Sequence, residues 1–262
     1  MIETSDFAEA WAIADRLADA ARVETLKHFR TATLEAESKK TAFDPVTIAD
    51  RDAEAAMRAI LVKARPEDGV LGEEHGAVQG TSGLTWVLDP IDGTRGYLSG
   101  SPTWGVLIAL SDENGPLLGI IDQPYIGERF WGGPGRAEAN GPLGTASLKT
   151  RGTTTLEQAA LFSTFPEIGS NGERAAFERV SAHVKLTRFG CDCYAYALLA
   201  SGHVDLVIEA GLQPYDIQAP IAVVQAAGGV LTDWQGKPAH NGGTAIAAAT
   251  PELHAAALEL LA

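Results

Sequence analysis

The sequence predicts an α/β protein, α+β in its first half and alternating α/β in its second. Two amphipathic helix patterns open the chain, and short apolar runs bounded by Gly, Pro, Asn and Asp follow them. From about residue 150 onward, strand and helix signals alternate.

Phe7, Trp11, Ala14, Leu17, Ala18 and Ala21 recur at helical spacing, so the first helix carries an apolar stripe and ends before the polar stretch around Lys39-Lys40-Thr41. Thr47 with Asp50 three residues later forms a capping box for the second helix. Its stripe is Ala53, Met57, Ile60, Leu61 and Ala64, and Pro66 stops it. Strands are expected at Val70-Leu71, at Trp86-Val87-Leu88, and at 105–110 and 117–121, the last two joined by a turn at Asn114-Gly115. The second half is expected to run strand 160–163, helix 173–183, strand 186–189, helix 192–201 and strand 204–209. A helix at 216–227, strands at 230–234 and 245–249, and a final helix from Pro251 complete it. The Gly/Pro-rich stretch 132–144 suggests a boundary between an N-terminal half, 1–140, and a C-terminal half, 141–262.

Composition narrows the function classes. With 262 residues and 45% hydrophobic content, the chain can bury a sizeable core. The net charge of −14 and the lack of any Lys/Arg-rich run argue against a nucleic-acid partner. No apolar run approaches the roughly 18 residues of a membrane span, and the N-terminus lacks signal-peptide features, so a cytoplasmic protein without membrane partners is expected. The two cysteines, Cys191 and Cys193, stand too close in sequence for an unstrained mutual disulfide and are expected to be reduced.

Chemistry concentrates in Asp89-Pro90-Ile91-Asp92-Gly93-Thr94, directly after an apolar strand. Pro90 stiffens the turn and Gly93 permits a tight backbone, so two carboxylates converge on one point. Their repulsion is relieved by a cation, and hard oxygen ligands select Mg²⁺ or Mn²⁺; a Pro-nucleated turn with a solvated Asp-Gly is the plain alternative. Further acids sit at strand ends, Glu73 and Glu74 after Gly72, and Asp216 at a predicted helix start. An aspartyl-phosphate mechanism of the haloacid-dehalogenase type needs Asp two residues before Asp92, where Pro90 stands. No ATP-binding P-loop occurs, and Gly133-Pro134-Gly135 lacks the context of a dinucleotide fingerprint.

As a set, Gly72-Glu73-Glu74, the Asp89–Thr94 hexapeptide, and Tyr215-Asp216 followed by Ala226-Ala227-Gly228-Gly229 resemble the three signatures of the inositol monophosphatase superfamily. Pro45-Val46-Thr47-Ile48-Ala49-Asp50 is similar to its upstream V-T-x-x-D element. The resemblance implies a layered αβαβα sandwich of the sugar-phosphatase type, dimeric, hydrolysing small phosphate monoesters with two or three Mg²⁺ ions per site, or Mn²⁺. It further implies that Glu73, Asp89 and the backbone carbonyl of Ile91 hold one ion, and that Asp89, Asp92 and Asp216 hold a second. Thr94, Glu73 and Asp50 would orient and deprotonate a water, with the N–H groups of Gly93 and Thr94 facing the phosphate. A helix cap for Thr94 and the capping box for Asp50 remain the structural alternatives.

Within the superfamily the chain is most similar to the bacterial histidinol-phosphate phosphatase branch, through the segments 92–100, 104–110, 189–196 and 211–219. The cationic substrate of that branch implies acids beyond the metal ligands, and Asp192 and Glu209 occupy the corresponding positions, with Arg95 and Asp216 as further contacts. A helix N-cap at Asp192, a strand-end surface acid at Glu209 and a solvated rim arginine at Arg95 are the competing readings. Pro220, four residues after Asp216, is expected to shift or kink the helix beginning there. Inositol 1-phosphate or a nucleotide phosphate is the alternative substrate, and a silent regulatory protein retaining the fold is the non-enzyme alternative.

Overall fold

The computed structural model describes residues 4–32, 34–38 and 45–262. Helix α1 (Thr4–His28) is followed by a short antiparallel pair, β1 (Ala36–Ser38) and β2 (Pro45–Thr47), then helix α2 (Ile48–Ala64). Both expected stripes are buried: Trp11, Ala14, Leu17 and Ala21 of α1 pack with Ala53, Met57 and Leu61 of α2. The capping box at Thr47 and Asp50 forms, and α2 ends two residues before Pro66. The segment Lys39-Lys40-Thr41 lies outside the described residues, while α1 itself stops at His28.

The first sheet is built from β3 (Gly69–Gly72), β4 (Gly76–Val78), β5 (Thr85–Asp92) and, after the short helix α3 (Thr94–Leu98), β6 (Gly105–Asp112) and β7 (Gly115–Gln123). It is completed by β8 (Glu128–Gly133), β9 (Arg136–Gly141) and β10 (Gly144–Ser147). Its order is β10-β9-β8-β7-β6-β5-β3-β4, antiparallel except for the parallel pair β3 and β5. The expected hairpin pairs Asp112 with Gly115. The stretch 132–144 takes part in β8, β9 and β10, so the chain leaves this sheet only after Ser147.

Strands β11 (Ala160–Ser163), β12 (Leu186–Phe189), β13 (Leu206–Leu212), β14 (Val230–Thr232) and β15 (Gly243–Ala248) make the second sheet, in the order β12-β11-β13-β15-β14. Helices α4 (Asn171–Ser181), α5 (Tyr194–Ala200), α6 (Pro214–Ala226) and α7 (Pro251–Leu261) alternate with them.

Strand alternation sorts these elements into five layers. Trp86 and Leu88 of β5 face α1 and α2, whereas Val87 between them faces α5 and α6. On β13, Val207 faces the same middle layer, whereas Leu206 and Ile208 face α4 and α7. The order is therefore helix, sheet, helix, sheet, helix, and both sheets share the core around α5 and α6. Helix α6 continues through Pro220 to Ala226. Pro220 withholds only the N–H that would reach the Asp216 carbonyl in the first turns, where a lost bond is least disruptive.

Candidate active site

Three segments deliver acids to one place: the turn after β3 brings Glu73, β5 brings Asp89 and Asp92, and the first turn of α6 brings Asp216. Sequence reasoning ends the strand before Asp89, but β5 continues to Asp92 with Pro90 inside it. In a regular strand, residues three apart point to opposite faces. Here Asp89 pairs with Leu107 and Asp92 with Gly105, so three steps of β5 oppose two of β6. This one-residue bulge, at a proline that cannot donate to the ladder, turns Asp92 to the side of Asp89.

One carboxylate oxygen from each of Asp89, Asp92 and Asp216 lies within 4.8 Å of the others. Each acid is held by a backbone N–H: Ile91 donates to Asp89 at 3.0 Å, Cys193 to Asp92 at 2.6 Å and Gln213 to Asp216 at 2.7 Å. Burial, and then the charges of Glu73, Asp92, Asp216 and Asp50, hold the Asp89 carboxyl well above the usual carboxylate range. Asp92 is raised likewise by burial and by Asp192 and Asp216. Convergent oxygen donors under mutual repulsion fit a hard divalent cation.

Asp50 does two things at once. Its Oδ2 accepts from the Thr47 N–H at 2.8 Å and the Thr47 hydroxyl at 2.6 Å, while its Oδ1 lies 3.5 Å from the Thr94 hydroxyl. Burial pushes its carboxyl up to about 6. The Thr94 hydroxyl lies 3.1 Å from the Ile91 carbonyl, whose second lone pair stays available to another ligand. Thr94 is not the helix cap. Gly93 holds that position at φ 86°, and a Cβ there would stand 2.7 Å from the Asp192 carboxyl carbon. Only glycine both adopts this turn and admits Asp192 beside it.

A cleft of about 260 Å³ extends from Asp92 and Asp216 past Gly93, Thr94 and Arg95 to Asp192 and Glu209. Asp192 is not an N-cap: Cys193 holds that position ahead of α5, and Asp192 itself sits at φ 45°, its side chain against Gly93. Burial pushes it up to about 6, against hydrogen bonding from Thr103 and the charge of Arg95. Glu209 is not a surface acid but buried, and it accepts from the Thr164 N–H at 2.7 Å and the Thr164 hydroxyl at 2.9 Å. Burial nevertheless pushes it up to about 8. The Arg95 guanidinium stacks on Phe165 at 4.9 Å, forming the rim.

Sequence reasoning missed Thr164, Phe165 and Tyr196. The first two follow β11, whose parallel register with β13 carries Thr164 to the level of Glu209, a pairing that periodicity does not disclose. The Tyr196 hydroxyl is buried without a hydrogen-bond partner among the described residues, and Glu209, Asp92 and Asp216 act on it electrostatically. Cys191 and Cys193 are free thiols, as expected.

A five-layer α/β sandwich with acids converging at a bulged strand and a helix start defines a metal-dependent phosphatase architecture, and comparison with known proteins identifies the family. Residues 4–262 match the inositol monophosphatase family, to which this chain belongs. The bifunctional phosphatase IMPL2, chloroplastic, of Arabidopsis thaliana is 43% identical over 261 residues, covering 95% of this chain and 74% of that protein. A histidinol-phosphatase of Streptomyces coelicolor is 36% identical, covering 95% of each. The solved structure of an inositol monophosphatase from Zymomonas mobilis superposes with a TM-score of 0.86 at 39% identity, over 99% of each chain. The family is one of phosphatases, generally metal-dependent. Among the described residues no helix is long and apolar enough to cross a membrane.

Proposed function

We propose that this chain is a Mg²⁺-dependent phosphate monoester hydrolase that converts L-histidinol phosphate and water to L-histidinol and phosphate. The observation that carries the substrate is the pair of half-buried Asp192 and buried Glu209, lining the same cleft as Asp92 and Asp216. Glu73, Asp89 and the Ile91 carbonyl, together with Asp92 and Asp216, would hold the ions. A divalent ion bound there supplies Lewis acidity and neutralises the charge developing on the phosphoryl oxygens.

The protein groups then have distinct tasks. The Thr94 hydroxyl, beside both Asp50 and the Ile91 carbonyl, orients the attacking water, and Asp50 or Glu73 takes its proton. The N–H groups of Gly93 and Thr94 face the phosphate ahead of the first helical bond, from the Tyr97 N–H to the Gly93 carbonyl. Burial makes an anionic Asp192 and Glu209 costly, and a bound ammonium or imidazolium offsets that cost; a polyol offers only neutral hydrogen bonds. Arg95 borders the ester on the Phe165 side.

Steady-state assays test the substrate. L-Histidinol phosphate is expected to exceed inositol 1-phosphate in kcat/KM by at least about tenfold, roughly 1.4 kcal/mol. The reverse preference would leave inositol 1-phosphate hydrolysis as the better account of the same metal site. A homodimer is proposed with this reading, and light scattering on the purified chain tests it.

A further inference from the structure

We propose that Glu54, with Arg58, is a positioning pair that sets Glu73 for metal binding. The inference rests on the metal-site reading above. Asp50, Glu54 and Arg58 stand at i, i+4 and i+8 on one face of α2, which is otherwise buried through apolar residues. Asp50 serves Thr94, and the next two serve the turn that carries Glu73.

The Glu54 carboxylate is fully buried. Its Oε2 accepts from the Glu74 N–H at 2.7 Å, and its Oε1 from the His75 N–H at 3.1 Å and Arg58 Nε at 2.7 Å. Arg58 reaches on to the Gly76 carbonyl, closing the far side of the turn. Gly72 lies so flush on this carboxylate that a Cβ there would fall 2.1 Å from Glu54 Oε1. On the opposite side the Glu73 N–H donates to the Leu88 carbonyl at 3.3 Å, one residue before Asp89. The backbone of Glu73 is thus pinned between β5 and α2. A carboxylate buried in a helix flank receives, besides Arg58, two successive N–H groups adjoining a proposed ligand. An anchor of the fold alone has no need to act at that one turn.

Glu54→Gln keeps the shape but turns an amide N–H₂ toward an N–H donor. Outer partners of metal ligands typically affect affinity by about 10–100-fold. Titration calorimetry with Mn²⁺, without substrate, is expected to show about tenfold weaker binding in Glu54→Gln. Arg58→Gln is expected to shift it in the same direction by less. The Mg²⁺ concentration for half-maximal activity should rise in parallel, with a smaller change in kcat at saturating metal. Met57→Ala, which hollows the same helix on its core side, should lower the thermal midpoint of the metal-free protein while leaving Mn²⁺ affinity intact.

Wild-type Mn²⁺ affinity in both Glu54→Gln and Arg58→Gln overturns the positioning role and leaves the metal site standing. So does equal weakening in Met57→Ala. If Glu54→Gln does not fold, the Arg58→Gln titration decides alone. Absence of Mn²⁺ binding by the wild-type protein overturns the metal site, and the positioning role with it.

Discussion

The two ends of the cleft hold acids with different partners. At the inner end, Asp89, Asp92 and Asp216 crowd within one coordination distance, and burial, followed by the charges of neighbouring carboxylates, raises Asp89 and Asp92. At the outer end, Glu209 is bound by Thr164 and Ser163, and Asp192 by Thr103, so neutral hydrogen-bond donors oppose the burial that raises both acids. Crowding calls for a multivalent cation in one fixed place, whereas acids held by neutral donors suit an organic cation. Acid count alone does not reveal what a pocket binds; spacing does.

Substitutions at the inner end should have the largest effects. Asp92→Asn, or exhaustive EDTA dialysis, is expected to abolish measurable turnover on every ester, a loss beyond the roughly 100-fold of outer metal partners. Full activity after dialysis would remove the contrast altogether. Thr94→Ala should fold normally and lower kcat by about 10²-fold, the lower range for proton-transfer assistance. Unchanged kcat with a lower thermal midpoint would make the hydroxyl structural.

The outer end should respond more weakly and selectively. Asp192→Asn and Glu209→Gln are expected to raise KM for histidinol phosphate about tenfold while sparing hydrolysis of glycerol phosphate. Equal losses on both substrates would merge the two ends into one site.

The smallest effect expected is on stability against pH. Glu209 is raised from its usual 4.5 to about 8 in the folded chain. Between those values the folded state holds a proton that the unfolded chain releases, so the unfolding free energy falls as pH rises through that window. In EDTA the thermal midpoint should therefore drop from pH 5 to pH 8, and drop less in Glu209→Gln. A midpoint flat over that range would show that Glu209 ionises at its ordinary value.

Periodicity alone recovers most of the fold. The α1 and α2 stripes, the β6–β7 hairpin and the alternation after residue 150 each follow from local spacing, because burial on one face is a local property of the chain. What joins distant segments is less visible. Asp89 and Asp92 are legible as a motif, yet their common direction comes from a bulge set by the partner strand β6. Glu209 had a usable signal, since alternation on β13 puts it on the face of Val207, toward the middle layer. Glu54 had none: with Arg58 four residues on, it resembles an ordinary solvated helix pair, and only the docked turn 72–76 shows otherwise.

Asp92 accepts from Cys193, Asp192 packs against Gly93, and Asp216 enters from α6, so the site is stitched together by residues from both sheets' halves of the chain. A cation held as proposed has no complete set of ligands unless those halves are docked. Its binding free energy is then added to the assembled state alone, as RT ln(1 + [M]/Kd). The ion that serves turnover would also govern how long the whole chain survives a protease, with the free magnesium level setting the lifetime of the fold.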